Sequence, residues 1–301
     1  MTTRRFLGPA LAGLLLAAAP AAAQDPDTAS LRAALEERIA SHAGQVHLSL
    51  LDPASGRELV SIRGDDPVTS ASIIKVPLLV EVYHQVENGR LRLEDPIVLL
   101  EADKVGGSGI LRHLSTPHQL TVADAALLMI ILSDNTATNL LIDRVGIRNS
   151  WERMEALGLP RTKLHSKTFD RSTSVAMDSS RVYGLGVTTA SEYARLLGIL
   201  YRGEAVSPEA SAEMVEILKK QHYQEGIARG LPGGVTVANK TGSLSAARHD
   251  CGIVYSRDAD YVLCILTDGN EDRGWRIDAE PHRVTGDLAA IVHRHMVASA
   301  R

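Results

Sequence analysis

Apolar and polar residues alternate near both ends of the chain, which is typical of strands with one buried face. Residues 46–51 alternate in this way, a turn follows at 52–56, and residues 58–62 read as the returning strand of a hairpin. Near the C-terminus the predicted strands are 235–237, 251–255 and 261–266. The pattern therefore predicts an antiparallel sheet that is built from the two ends of the chain.

Helical periodicity dominates the rest of the chain. Ser30 caps a predicted helix at 31–41, and Ser72 opens a strongly apolar helix at 73–86 that ends before Gly89. The other predicted helices are 122–131, 135–145, 150–157, 190–201, 209–219 and 286–297. Because most of them lie between the two groups of strands, we expect an inserted helical subdomain, with a ligand cleft where it meets the sheet.

The N-terminus has the three parts of a secretory signal peptide. Arg4 and Arg5 form a positive segment, an apolar stretch follows at 7–18, and the small residues 21–23 provide a cleavage site. The arginine pair also resembles a twin-arginine signal with incomplete spacing, so both the Sec and the Tat export routes stay open. We expect a periplasmic or secreted protein with no membrane span, because no later apolar run is long enough to cross a bilayer.

The composition fits a globular protein and argues against nucleic acid as a partner. Hydrophobic residues make up 45% of the chain and charged residues 23%, which allows a packed core and excludes wholesale disorder. The formal net charge is -4 and no segment concentrates Lys and Arg, whereas a phosphate-binding face needs positive charge. The histidines show no metal-ligand spacing, so the sequence predicts neither a metal nor a cofactor.

The two cysteines, Cys251 and Cys264, fall in consecutive predicted strands. A two-residue turn at 258–259 would place residue 251 opposite residue 266 and leave the cysteines diagonal to each other, about 7–8 Å apart. That separation is beyond the usual reach of a disulfide. We therefore expect two small buried hydrophobic side chains.

Three short motifs carry the candidate chemistry: S-I-I-K at 72–75, S-D-N at 133–135 and K-T-G at 240–242. One helical turn separates Ser72 from Lys75, which places both side chains on one face. A lysine whose pKa is lowered by burial or by a second cation can take the proton of a serine hydroxyl and activate it as a nucleophile. The lysine of the third motif is the natural second cation.

The other motif residues suit the remaining steps of acyl transfer. Ser133 can relay a proton to a leaving nitrogen, and Asn135 can hold a substrate amide or the lysine ammonium. Gly242 allows close approach to a strand edge, and the N–H groups of the nucleophile and of Ser243 or Leu244 would form an oxyanion hole. Each motif alone also fits a helix cap, a solvated lysine or a turn, but together and in this order they form a catalytic set.

With these motifs and their spacing, the chain resembles the class A serine β-lactamases and, more broadly, the penicillin-binding D,D-peptidases. The resemblance covers nearly all of residues 24–301 and implies an α/β plus all-α fold, in which an antiparallel sheet is flanked by helices and carries an inserted helical subdomain. It implies an α/β subdomain at 24–68 and 230–301, a helical subdomain at 69–229, a small β-lactam or D-Ala-D-Ala-like substrate, and no metal.

By motif match, the resemblance also implies roles for single residues. Ser72 would be the nucleophile, Lys75 its proton acceptor and Ser133 the proton shuttle. The substrate-binding residues would be Asn135, Lys240, Thr241, Ser243 and Arg248. For Arg248 the alternative is a solvated arginine near the end of a strand.

The chain departs from class A in the loop before its threonine pair. Family members carry a glutamate there, two residues after an arginine, that activates the deacylating water, and here Thr173 follows Arg171 at that place. The aspartate that normally clamps the loop is also absent, with Gly186 or Val187 at its position. A threonine hydroxyl is not a general base near neutral pH, so acylation should survive while deacylation is slow.

Two further features of this region belong to the same comparison. Asp170 or Asp178 could replace the glutamate if the loop folds differently, although both also read as exposed loop carboxylates. Residues 104–109, a glycine-rich segment, resemble a loop at the rim of the family's cleft.

Three functions stay open at this point. The first is a class A-type β-lactamase that is acylated on Ser72 and turns over slowly or atypically. The second has the same acylation chemistry but acts on D-Ala-D-Ala peptides or esters. The third is a binder of β-lactams or peptidoglycan fragments that is acylated once or never. In each case we expect a monomer whose partner is a small molecule.

Overall fold

The computed structural model describes residues 26–299, so the predicted signal peptide at 1–23 lies outside the described residues. The helices are α1 (Pro26–Ala40), α2 (Lys75–Glu87), α3 (Val122–Ile131), α4 (Asn135–Val145), α5 (Ile147–Ala156), α6 (Met177–Tyr183), α7 (Ala190–Tyr201), α8 (Pro208–Leu218) and α9 (Glu280–Ser299). The strands are β1 (Gln45–Leu51), β2 (Glu58–Ile62), β3 (Val68–Thr69), β4 (Pro96–Leu99), β5 (His118–Thr121), β6 (Lys163–Leu164), β7 (Gly186–Thr188), β8 (Thr236–Leu244), β9 (Ala247–Tyr255) and β10 (Tyr261–Asp268).

The main sheet is antiparallel and joins strands from both ends of the chain, in the order β2-β1-β10-β9-β8. One face packs on α1 and α9, where Leu35, Leu48 and Leu288 share an apolar cluster. The other face belongs to a second cluster, in which Leu266 and Leu197 meet the apolar face of the helical region. Because β8 is the last strand in this order, its outer edge is free to face the helical region.

The sequence-based prediction of an antiparallel sheet flanked by helices is confirmed, and α3, α4 and α7 have the predicted bounds. The pattern missed the pair β4-β5 and the three-stranded sheet β3-β7-β6. Strands of two to four residues are too short for alternation to be visible. The residue bounds of the two subdomains stay a prediction. No helix within residues 26–299 is long and apolar enough to cross a membrane.

The prediction for the cysteines was wrong, because Cys251 and Cys264 form a disulfide. The two residues lie directly opposite each other on β9 and β10, with their Cα atoms 4.0 Å apart. The expected two-residue turn is a longer connection between Tyr255 and Tyr261, so the register differs from the predicted one by two residues. Disulfides persist in oxidising compartments, which is the kind of location that the N-terminal segment predicts.

Candidate active site

Ser72 lies in a 3-10 turn, Ala71–Ile74, that leads directly into α2. Side chains three residues apart line up in such a turn, so Ser72 is aligned with Lys75, the first residue of α2. The turn is held in the core, because the Tyr193 hydroxyl donates to the Ile73 carbonyl oxygen at 2.8 Å. The Ser72 hydroxyl itself makes no hydrogen bond with the described part of the chain, which leaves it free to react.

The Lys75 ammonium is fully buried and has three oxygen partners. Its Nζ donates to the Ser133 carbonyl oxygen at 2.7 Å, to Ser133 Oγ at 3.1 Å and to Asn135 Oδ1 at 2.8 Å. Burial, reinforced by the positive charge of Lys240, holds the pKa of Lys75 well below its usual value, against a smaller opposing effect of Asp134. As a neutral amine, Lys75 can donate to the two carbonyl oxygens and keep its lone pair available.

Ser133 Oγ lies between two buried lysines. Lys240 Nζ approaches it at 3.1 Å, the same distance as Lys75 Nζ, and also donates to the Thr241 carbonyl oxygen at 2.8 Å. Burial lowers the pKa of Lys240 to about 7, while the Asp250 carboxylate acts in the opposite direction. The hydroxyl can therefore exchange protons with either lysine.

Asp134 fixes the shape of the S-D-N segment. It is 1% exposed, and its carboxylate accepts backbone N–H bonds at 2.7 to 2.9 Å from Ile110, Leu111 and Ala137. The bond from Ala137 caps the N-terminus of α4. A Cβ atom at Gly109 would lie 2.2 Å from this carboxyl group. Only glycine at this position therefore allows the glycine-rich rim loop to lie so close to Asp134.

The K-T-G motif lies within β8, at the free edge of the sheet. The carbonyl oxygen of Thr241 faces this edge, since it accepts the bond from the lysine of the same motif. Alternation along an antiparallel strand then directs the N–H of Ser243 to the same edge and the N–H of Leu244 towards β9. A Cβ atom at Gly242 would lie 3.0 Å from Ser72 N. Of the two predicted oxyanion-hole donors on this strand, the geometry favours Ser243.

A buried carboxylate supports β8 from the neighbouring strand. Asp250 is 2% exposed and accepts hydrogen bonds from Asn239 Nδ2 and from the Ile227 N–H, both at 2.8 Å. Burial raises the pKa of Asp250 to about 6. Its negative charge opposes the lowering of the Lys240 pKa by burial. Sequence reasoning missed this residue, because it belongs to none of the three motifs.

A cavity of about 850 Å³ opens in front of Ser72. It falls in the size range of small-molecule sites. Its lining includes the predicted site residues Ser133, Asn135, Thr241 and Ser243. Within residues 26–299 no group of His, Cys, Asp and Glu side chains could hold a metal ion.

The sequence model of the β-lactamase enzyme family matches residues 30–296. The chain belongs to this family. A β-lactamase of Citrobacter koseri is 25% identical over 251 residues, which cover 82% of each protein. The solved β-lactamase of Sphaerobacter thermophilus DSM 20745 has 30% identity and a TM-score of 0.76, over 89% of this chain and 97% of that one.

The fold is that of the class A branch. A class A β-lactamase of the last common ancestor of Gram-negative bacteria has 23% identity and a TM-score of 0.77, over 88% of this chain and 98% of that chain. The predicted family and fold class are therefore confirmed. The roles of the single site residues stay predictions, although the structure brings the three motifs of this β-lactamase-family chain together around one cavity.

Arg248, the eighth predicted site residue, lines the cavity but is occupied by the protein itself. Its guanidinium donates to the carbonyl oxygens of Leu244, Ala247 and Gly274, and its Cζ lies 4.1 Å from the centre of the Trp275 ring. The predicted alternative of a solvated arginine does not apply, because the residue is 2% exposed. Any contribution to substrate binding would come mainly from its positive charge.

The loop that departs from the family pattern runs between β6 and β7. The hydroxyl of Thr173 is used inside this loop: it donates to the Asp170 carbonyl oxygen at 2.7 Å and accepts from the Lys167 N–H at 2.9 Å. Thr168, by contrast, lines the cavity. The side chain of Asp178 is 98% exposed and pairs with an arginine on the surface, which removes it as a replacement for the missing glutamate.

Proposed function

We propose that this chain is a serine hydrolase that opens β-lactams through an acyl-enzyme on Ser72 and releases the product slowly. The single observation that carries the proposal is the Ser133 hydroxyl held between two buried lysines, Lys75 and Lys240, beside a nucleophile whose hydroxyl makes no hydrogen bond within residues 26–299. A structural serine would not require two buried lysines, since an ammonium group is costly to bury.

Acylation follows from these positions. The Ser72 oxygen attacks the lactam carbonyl carbon while its proton passes to the Lys75 amine. The N–H groups of Ser72 and Ser243 stabilise the oxyanion that forms. The C–N bond then breaks, and the leaving nitrogen takes a proton from the Ser133 hydroxyl, which is restored from Lys75. Lys240 and Thr241 would bind the substrate carboxylate at the strand edge.

The slow release in this proposal rests on the loop between β6 and β7. The carboxylate of Asp170, the loop acid that does line the cavity, accepts hydrogen bonds from the backbone N–H and the hydroxyl of Ser172. One of its two oxygens, Oδ1, is therefore engaged by its own turn, and the proposal requires that the other oxygen does not reach the hydrolytic water. Since hydroxyl groups do not act as general bases near neutral pH, the acyl-enzyme should accumulate.

The test combines turnover with intact mass. The purified chain without residues 1–23 is mixed with a penicillin or a chromogenic cephalosporin, and product and protein mass are followed together. We expect a burst of about one product per protein, an adduct on the peptide that contains Ser72, and a slower steady phase. Ser72→Ala should form no adduct. Absence of an adduct on the unmodified chain would refute the proposal, and brisk turnover of a D-Ala ester with slow penicillin release would favour a D,D-peptidase or esterase.

The pH dependence of acylation gives a separate prediction. Because the charge of Lys240 contributes to the low pKa of Lys75, Lys240→Met should raise the pKa of Lys75 and move the acid limb of the acylation profile to higher pH. The limb moves to higher pH because Lys75 accepts the proton only as a neutral amine. When its pKa is higher, a higher pH is needed to form that amine. Lys240→Arg keeps the positive charge and should leave the limb near its original position. An unmoved limb in Lys240→Met would show that the charge of Lys240 does not contribute to the pKa of the base.

A further inference from the structure

His249 is a buried histidine on β9 that holds the chain just before the nucleophile. It is 3% exposed, and its ring nitrogen Nε2 lies 2.8 Å from the Thr69 carbonyl oxygen. Because a carbonyl oxygen only accepts, Nε2 carries the proton and donates it. Burial lowers the pKa of His249 to about 4, so the ring is neutral near pH 7 and has this single N–H. Thr69 ends β3, three positions before Ser72.

The row of the main sheet that contains His249 contacts the nucleophile segment at two points. Gly242 on β8 and Leu266 on β10 lie directly opposite His249, so the residues of this row share one face of the sheet. Leu266 belongs to the apolar cluster of the helical region, which identifies that face. A Cβ atom at Gly242 would lie 3.0 Å from Ser72 N. One strand further into the sheet, the bond from His249 reaches Thr69.

The backbone between these two contacts is strained. Ala71 has a φ of 44°, in the left-handed region, and a non-glycine residue keeps such a conformation only where the surrounding contacts hold it. After Ala71, the Tyr193 hydroxyl holds the Ile73 carbonyl oxygen. Before Ala71, His249 holds the Thr69 carbonyl oxygen. The residue next to the nucleophile therefore lies between two anchored carbonyl groups.

The His249 ring does not act on the substrate itself, although the residue lines the cavity. Its Nε2 proton is donated to Thr69, and its Nδ1 atom is buried, out of reach of a substrate. Because β3 pairs with β7 in the small sheet, the bond from His249 connects the nucleophile segment to the sheet that carries K-T-G. The two oxyanion-hole donors lie on these two parts of the fold, Ser72 on the turn and Ser243 on β8.

We infer that His249 is a positioning residue that locks the strained nucleophile turn onto the main sheet and so sets the distance between the two oxyanion-hole donors. The inference rests on the proposed function for its effect on acylation. Without the bond, Ala71 can relax to a negative φ, which moves the N–H of Ser72 relative to that of Ser243. The maximal rate of acylation should then fall. The β-lactam concentration that gives half of that rate should change little, because the β8 edge still binds the substrate carboxylate.

The first test compares two replacements of His249. His249→Leu removes the N–H, whereas His249→Gln keeps a side-chain N–H that can reach the Thr69 carbonyl oxygen. Acylation by penicillin G is followed by rapid quench and intact mass over a range of concentrations. We expect His249→Leu to lower the maximal rate about tenfold or more, since a displacement of about 1 Å can cost about 10²-fold. His249→Gln should retain the rate within about threefold.

The matched control is His47→Leu. His47 lies opposite Leu266 in the same row, is 2% exposed, and has its Nδ1 atom 3.2 Å from the Arg63 carbonyl oxygen, away from the nucleophile. Its replacement should leave the acylation rate within about twofold, and thermal midpoints separate a loss of folded protein from a loss of geometry. An unchanged rate in His249→Leu, an equal fall in His47→Leu, or no recovery in His249→Gln would overturn the inference.

A second test addresses the strain at Ala71. Glycine adopts a positive φ without a steric cost, so Ala71→Gly should make the bond from His249 less necessary. His249→Leu should therefore slow acylation by a smaller factor in the Ala71→Gly background than in the unmodified chain. The same factor in both backgrounds would contradict the inference.

Hydrogen exchange supplies a measurement that does not depend on acylation. The peptide that contains residues 69–74 should exchange faster in His249→Leu than in the unmodified chain, and His47→Leu should leave its exchange unchanged. If the unmodified chain forms no adduct with penicillin G, the proposed function fails. The exchange of this peptide then decides by itself whether His249 holds the turn, and equal exchange in the three proteins would refute that role.

Discussion

Lys75→Met is expected to slow the acylation of Ser72 by a factor of about 10² to 10⁴, the range that loss of a general base usually produces. The reason lies in the position of the amine, which is fully buried, aligned with the nucleophile and hydrogen-bonded to Ser133. Among the described residues, the other group with a strongly lowered pKa near Lys75 is Lys240. It contacts the opposite side of the Ser133 hydroxyl. The measurement is the rate of adduct formation by rapid quench and intact mass.

The control for this variant is Lys75→Arg. Arginine keeps the positive charge and several N–H donors for the three oxygen partners, but it is not deprotonated in proteins and cannot accept the proton. If Lys75 is the base, Lys75→Arg should acylate as slowly as Lys75→Met. If its role is only to hold Ser133 and Asn135 in place, Lys75→Arg should retain much of the rate. Lys220→Met, at an exposed position in the same protein, should change nothing.

Short sequence patterns predicted the helices whose ends are set by residues close to them in the sequence. The bounds of α3, α4 and α7 were right because each helix has an apolar face and begins at a side chain that caps it. The capping residues are Thr121, Asp134 and Thr189, and each accepts the N–H of the residue three positions later. The same reasoning placed the first two motifs at the starts of helical segments, as the structure has them, whereas K-T-G lies within β8 and not at the end of a strand.

Predictions that depend on distant contacts failed or fell short. The sequence pattern did not show the full length of β8, because residues 239–241 are polar. Their side chains are hydrogen-bonded to partners on other elements, such as Asp250 and Ser133, which the sequence alone does not reveal. The disulfide depended on the register of one hairpin, which its connection length decides. In the loop, counting from Arg171 pointed to Thr173, whereas residues 166–171 line the cavity and the Thr173 hydroxyl is hydrogen-bonded inside the loop.

Gly242→Val is expected to lower the acylation rate by about 10²-fold, the effect of misplacing a reacting group by about 1 Å. A Cβ atom at this position would lie 3.0 Å from the Ser72 N–H nitrogen and 3.1 Å from that of Ile73, and valine adds two methyl groups to it. The nucleophile turn must then move away from β8, which separates the two oxyanion-hole donors, Ser72 and Ser243. The overpacking should also cost about 1–3 kcal/mol of stability.

The matched control is Gly233→Val, because a Cβ atom at Gly233 meets no atom of residues 26–299 within 4 Å. Its acylation rate should stay within about twofold of the unmodified chain. The rate and the thermal midpoint are measured for both variants, so that a loss of folded protein is separated from a loss of geometry. If Gly242→Val stays folded and acylates at the original rate, the contact between β8 and the nucleophile turn does not shape the oxyanion hole. The stabilising donors would then have to be sought away from the sheet edge, and the assignment of Ser243 would be wrong.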